Sequence, residues 1–256
     1  MRIFTVNLRK YFPFTVLLRT VAFCLFFFFS VWLLIGNRSD AVLYIAAGNT
    51  EPSRTVIIDA GHGGEDGGAV GADGCKEKDL NLAIALELGE RLDELGYTVI
   101  YTRTDDRLLY TEEENIHGIR KISDLKNRCK IAAEHKDAIF VSIHMNTYGQ
   151  SKYSGLQVYY SPKTPESKIL SDCIQSEVCA QMQPENHRKT KRGDDIYILE
   201  NTDNVAILVE CGFLSNPEEC KKLSEKEYQK QLSFAIACGM IKYEKESEAA
   251  RIAAEP

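Results

Sequence analysis

Two hydropathy rhythms alternate along the chain. Short β-branched runs, bounded by glycine, charge or turn residues, read as buried strands. They cover 55–60 (TVIIDA), 97–103 (YTVIYTR), 138–144 (AIFVSIH), 156–161 (LQVYYS), 195–200 (DIYILE) and 205–213 (VAILVECGF). The last is apolar through most of its length and is expected at the centre of a sheet. Between the strands lie helical patterns. In 76–96, Leu82, Leu86, Leu88, Leu92 and Leu95 form a stripe, charges take the opposite face, and Gly96 is a stop signal. Residues 122–136, 166–182 and 216–244 read the same way, the last with Pro217 near its start. The stretch 110–121 (YTEEENIHGIRK) reads as a loop. Strands alternating with helices predict an α/β fold, one domain built on a mostly parallel sheet flanked by helices. No internal repeat and no second globular unit is visible.

The N-terminus breaks this pattern. Residues 21–36 (VAFCLFFFFSVWLLIG) are apolar and uncharged, somewhat short of the ~20 residues of a membrane span. Residues 12–18 extend the run if Arg19 snorkels. Basic residues precede the run, so the N-terminus is expected in the cytoplasm and the remainder on the outer face, anchored to the membrane. A signal peptide cleaved near Ser39-Asp40-Ala41, giving a secreted protein, is the alternative. The expected division is 1–36 as leader and signal-anchor, 37–54 as linker, 55–243 as the α/β domain, and 244–256 as a charged, alanine-rich, frayed tail. The first 40 residues carry a net charge of +4 against −6 for the whole chain, which leaves −10 on the remainder. So acidic a body argues against nucleic-acid binding, which relies on Lys and Arg neutralising phosphates. Eight cysteines, seven of them beyond the apolar run and none in a CxxC, do not indicate a dense disulfide framework. Most are expected as buried, small apolar residues.

In α/β sheets, sites gather beyond the carboxyl ends of strands. Three predicted strands finish on reactive side chains: His62 after TVIIDAG, His144 on AIFVSIH and Glu210 on VAILVE. The helix after the glycine-rich loop 61–71 begins near Glu77, so its first turn returns to the same edge. Two imidazoles and a carboxylate suit zinc, with one position left for water, and a fourth carboxylate can act as general base. Each residue alone has a plainer explanation. A histidine after a strand is often only hydrogen-bonded, and Glu77 would in any case favour the positive end of its helix. Glu210 is the least plain, because a carboxylate after VAILV is buried at a cost unless it is used. Cys75 is an alternative soft ligand to Glu77. His117, His135 and His187 lie in polar segments and read as solvated. HExxH is absent, and the glycine loop is neither a dinucleotide fingerprint nor a P-loop.

The pieces IIDAGHGGEDGGAVG, KEKDLNL, YTRTDD, FVSIHMN and ILVECGFLSNPEE, in this order, resemble the zinc-dependent N-acetylmuramoyl-L-alanine amidases of bacterial autolysins. The resemblance spans residue 55 to about 243. It implies a six-stranded sheet, a zinc ion (Zn2+) bound by His62, Glu77 and His144, and Glu210 as the catalytic carboxylate. It also implies peptidoglycan as substrate, cut between the lactyl group of N-acetylmuramic acid and L-alanine. Met145 stands where the family more often has a small residue, which points to an effect on the groove floor. With its N-terminal membrane segment, single catalytic domain and lack of wall-binding repeats, the chain is similar to the germination-specific amidases of spore formers. That subgroup implies a role in spore-cortex maturation through muramic-δ-lactam. Some members of the family need an activating protein partner; the stretch 110–118 (YTEEENIHG) is a candidate contact, with a solvated loop as its plainer reading. A vegetative autolysin, a catalytically idle wall-binding scaffold and a zinc peptidase acting within the stem peptide are the competing readings.

Overall fold

The computed structural model describes residues 19, 21, 23–27, 54–71, 73–116 and 118–254. The chain separates into two compact units, Met1–Asn49 and Thr50–Pro256. In the first, residues 19, 21 and 23–27 are helical. Among the described residues no helix is long and apolar enough to cross a membrane. The apolar run 21–36, and the divisions 1–36 and 37–54 drawn around it, lie largely outside the described residues.

The second unit is built on one six-stranded sheet. Its strands are β1 (Thr55–Ala60), β2 (Thr98–Tyr101), β3 (Ile139–Asn146), β4 (Gln157–Tyr160), β5 (Lys191–Arg192) and β6 (Ala206–Phe213). Their spatial order is β2-β1-β3-β6-β4-β5. All pairings are parallel except β4 against β6. The helices are α1 (Glu77–Glu94), α2 (Arg120–Glu134), α3 (Pro165–Gln181), the single turn α4 (Tyr197–Glu200), α5 (Pro217–Ser224) and α6 (Lys226–Ala254). The apolar strand at 206–213 is central, as its composition predicts.

Strand alternation divides the core unequally. Val56, Ile58, Ala60, Val141, Ile143, Ile207 and Val209 face a large cluster completed by α1, α3 and α6. Ile57, Phe140, Ala206 and Leu208 face a smaller one, covered by Ala132 of α2 and by Ile198 and Leu199 of α4. By the same period of two, Asp59, Ser142, His144 and Glu210 share the thinly covered face. The sheet thus sends its polar positions to the side that has room for a site.

Three expectations are corrected. Residues 195–200 were expected as a strand, but residues 197–200 form α4, and the sixth strand is Lys191–Arg192. Ile198 and Leu199, adjacent in sequence, both bury against the Ile57–Phe140 cluster, which a helical turn permits and a period-two strand does not. The helix expected over 216–244 is broken at Glu225, whose backbone is extended. The break lets Leu223 and Leu232 enter the core from two helices. Beyond 244, where fraying was expected, α6 runs on to Ala254, with Arg251 paired to Glu248 one turn away.

Phe140 is fully buried between β1 and β6. Phe140→Ala is expected to lower the unfolding free energy by about 3–5 kcal/mol in urea titrations. A loss under about 1 kcal/mol would mean that this face is not close-packed.

Candidate metal centre

The site forms where β1, α1 and β3 meet. β1 ends at Ala60, and the chain turns at once through His62, whose φ of 61° is in the left-handed region. Among the described residues it is the one non-glycine in that region, and such strain persists only where neighbours hold it. Arg128 of α2 donates to the carbonyls of Ala60 and His62, each at 2.8 Å. Arg103 donates to Ala60 and Gly61 at 2.8 and 3.0 Å, and Asn81 to Gly61 at 3.1 Å. All three carbonyls of the turn are therefore held by side chains from other elements. Gly61 has a spatial reason: a Cβ there would lie 2.1 Å from Nε2 of His144.

Beneath the turn lies a buried ion pair. Arg128 and Asp59 are each about 1% exposed, and their contact is 2.5 Å. Thr102 and Ser142 also donate to Asp59, and Asp124 supplies Arg128 with a second carboxylate at 2.9 Å. Burial opposes the charge on Asp59, but Arg128 and Ser142 outweigh it and hold its pKa below the usual value.

Glu77 is the hub above this layer. Its Oε1 lies 3.2 Å from Nε2 of His62, 3.0 Å from Nδ1 of His144 and 3.1 Å from the backbone nitrogen of Met145. Its Oε2 accepts from Ala69 at 2.8 Å. Burial opposes its ionisation, yet His144 and His62 depress its pKa strongly. The imidazole rings of His62 and His144 stand edge to face, 5.0 Å apart. His62 Nδ1 lies 3.0 Å from Asp66, at ion-pair distance but without hydrogen-bond alignment. Burial lowers the basicity of His62, while Glu77 and Asp66 raise it and prevail. Ligand atoms of His62, Glu77 and His144 all lie within 4.8 Å of one another, the donor set and spacing of a divalent-metal site.

Glu210 sits directly across the parallel ladder from His144. Its Oε2 is closed off from solvent and has no hydrogen-bond partner. Burial pushes its pKa up to about 7, with His144 pulling the other way and Glu77 adding to the rise. A small cavity of about 60 Å³ opens beside the two histidines, lined also by Asp66, Lys121 and Leu125. A larger one, about 570 Å³, lies elsewhere, around Gly155, Asn186, Arg188 and Glu219, and none of the four residues lines it.

All four residues named from the sequence thus come to one edge, although His144 and Glu210 lie inside their strands rather than beyond them. Cys75 is not in the set: its sulfur turns to Cys220. The side chain of Met145 is in the core, not on a groove floor. His135 and His187 are exposed, and His117 lies outside the described residues. Sequence reasoning missed Asp59, Arg103, Arg128 and Asn81. The available signal was the charge inside the apolar run VIIDA, whereas the charged helix around Arg128 carries no such mark.

The profile described as N-acetylmuramoyl-L-alanine amidase matches residues 56–242. The chain is 36% identical over 190 residues to the germination-specific N-acetylmuramoyl-L-alanine amidase of Bacillus subtilis (strain 168), covering 74% of this chain and 79% of that protein. It is similar to the CwlD amidase from Clostridioides difficile, solved in complex with the GerS lipoprotein. That match has a TM-score of 0.73 and 45% identity, and covers 75% of this chain and 99% of that one. A second solved structure, an N-acetylmuramoyl-L-alanine amidase from Clostridium difficile 630, matches with a TM-score of 0.66 and 31% identity over 76% of this chain and 98% of the other.

Two measurements test the electrostatics. Because burial raises the folded-state pKa of Glu210 to about 7, the fold favours its protonated form, and stability falls as pH rises from the unfolded value through 7. With chelator present, Glu210→Gln is expected to match the parent near pH 5 and to exceed it by about 2–3 kcal/mol near pH 8 in urea unfolding. An advantage independent of pH would mean that Glu210 ionises normally. Arg128→Met leaves Asp59 buried and unpaired, and is expected to cost about 3–5 kcal/mol in the same assay. A neutral result would show that the pair does not hold the turn.

Proposed function

The chain belongs to the N-acetylmuramoyl-L-alanine amidase family, and from that premise we propose that it works as a zinc enzyme of spore-cortex maturation. His62, Glu77 and His144 would hold the ion, and Glu210 would be the catalytic carboxylate. The donor set fits a metal: three donor atoms of the right chemistry crowd one point, and Glu77 Oε1 receives both imidazoles where a cation would sit. Bound zinc supplies a Lewis acid for the scissile carbonyl and its oxyanion, and lowers the pKa of a bound water towards ~7.

The remaining roles fall to the chain's own groups. The single observation that carries the reading is the orphaned, buried Oε2 of Glu210 beside His144. A buried carboxylate whose surroundings raise its proton affinity can take a proton from the attacking water. It can then deliver that proton to the nitrogen of L-alanine as the amide C–N bond breaks. The products are a free lactyl carboxylate on muramic acid and a stem peptide with a free amine. Arg128, Arg103 and Asn81 keep His62 aimed by holding the carbonyls of its turn. Met145 and Ala69 fix Glu77 through their backbone nitrogens, which leaves its position independent of substrate.

The cortex role is supported by similarity to the germination-specific amidase of Bacillus subtilis and to CwlD. There, removal of the stem peptide would free muramic acid for muramic-δ-lactam formation. The GerS lipoprotein in the CwlD structure supports a protein partner for this chain as well. The apolar run 21–36 supports an anchor that keeps the catalytic unit at the outer membrane face, next to its peptidoglycan substrate.

The test is peptidoglycan digestion followed by mass spectrometry. The chain is expected to bind one zinc and to release intact stem peptides that begin with L-Ala. Glu210→Gln should keep the zinc and lose activity by roughly 100- to 10,000-fold. Cleavage inside the stem peptide would overturn the bond assignment, and undiminished cleavage by the variant would overturn the role of Glu210.

A further inference from the structure

We propose that Cys75 and Cys220 form a disulfide, a redox modification site that staples the approach to α1 onto α5. The two sulfurs are 3.2 Å apart although the residues are 145 positions apart in sequence. Both are held in place by their own surroundings. The turn before α1 is closed by hydrogen bonds from Gly71 to the Cys75 carbonyl at 2.8 Å and from Gly74 to the Gly71 carbonyl at 3.0 Å. The Cys75 backbone nitrogen donates to Asp73 at 2.9 Å. Cys220 is fully buried on α5, whose start is capped by the Asn216 side chain. Its neighbour Glu219 accepts from the backbone nitrogens of Phe213 and Gly155 at 2.7 and 2.8 Å, which pins α5 to the end of β6.

The space between the sulfurs is also reserved. A Cβ at position 71 would lie 2.4 Å from the Cys220 sulfur and 2.5 Å from that of Cys75. Glycine at this position leaves room for the sulfur pair, and any side chain would fill it. Three other thiols of this unit are engaged differently. Cys173, Cys179 and Cys211 direct their sulfurs at Glu246, the Asn186 carbonyl and the Val209 carbonyl.

Asp73 completes a cluster with the two thiols, which raises a metal as the competing occupant. The spacing argues for the covalent bond. Two thiolates on one tetrahedral zinc, with Zn–S bonds of ~2.3 Å, stand about 3.8 Å apart. At 3.2 Å the pair is already inside that separation, closer than two sulfurs held apart by a shared zinc. The reaction is a thiol–disulfide exchange. An oxidised dithiol-disulfide oxidoreductase accepts the two electrons and two protons of the thiols, its own disulfide is reduced to two thiols, and the Cys75–Cys220 S–S bond forms. The bond would fix the chain two residues ahead of Glu77, the hub of the metal centre.

The test uses the full chain, equilibrated with oxidised and reduced glutathione at an oxidising ratio and denatured for analysis. The expected product is about 2 Da lighter than the reduced chain, has six free thiols instead of eight, and yields a linked peptide containing Cys75 and Cys220. Reductant is expected to lower its melting temperature by roughly 5–15 °C, and the melting temperature of Cys220→Ser should not respond. Eight titratable thiols and no mass loss would overturn the proposal. So would thiols protected by a bound metal ion without mass loss, or a bridge between any other pair. The mass and thiol counts are made on the parent chain, so a poorly folding variant does not affect them.

Discussion

The site rests on one buried ion pair. Asp59 and Arg128 are removed from water at the end of β1, where an unpaired charge would cost several kcal/mol. Once formed, the pair leaves Arg128 with donors to spare, and these reach the carbonyls of Ala60 and His62. A backbone turn that would otherwise be strained is thereby held in one conformation. The glycine-rich loop looks flexible in composition, but its first two residues, and Ala60 before them, are tied to α1, α2 and the segment after β2. The freedom of the glycines serves close approach here.

The division of labour between the two sheet faces follows from the same economy of space. Three helices cover one face and bury the larger apolar cluster. The other face has only α2 and a single helical turn over its apolar patch, and it carries Asp59, Ser142, His144 and Glu210 along successive strands. Glu77 is the exception: it comes from a helix on the opposite face and reaches over the strand ends with its first residue. One carboxylate thus joins the two layers. That arrangement explains why it makes four polar contacts where a surface glutamate at a helix start would make one or none.

Much of this was legible in the sequence because period-two and helical patterns are imposed by the same burial that makes the fold. TVIIDA, AIFVSIH and VAILVECGF carried both their strand identity and the residues they present. Segment 195–200 misled because β-branched content was weighed above the need to bury two adjacent residues on one cluster. The short strand at 191–192 had no signal: Lys191 and Arg192 are both exposed and charged, and only two residues pair with β4. His62, His144 and Glu210 were legible because such side chains are unusual at the ends of apolar strands, and Glu77 because the helix it opens returns to the same edge. Their supporting arginines were not, since Arg128 sits among Lys126, Cys129 and Lys130 in what reads as an ordinary amphipathic helix. Only the tertiary fold turns it inward.

The strand order has a temporal consequence. β6 lies between β3 and β4, so β3 remains an edge strand until the chain has been made past residue 213. His62, Glu77 and His144 can gather earlier, but Glu210 joins them only when β6 inserts. Non-local pairing of this kind is late and slow in folding. A chain emerging N-terminus first therefore carries an incomplete constellation for most of its synthesis, and the four side chains meet only with one of the last strand-docking events.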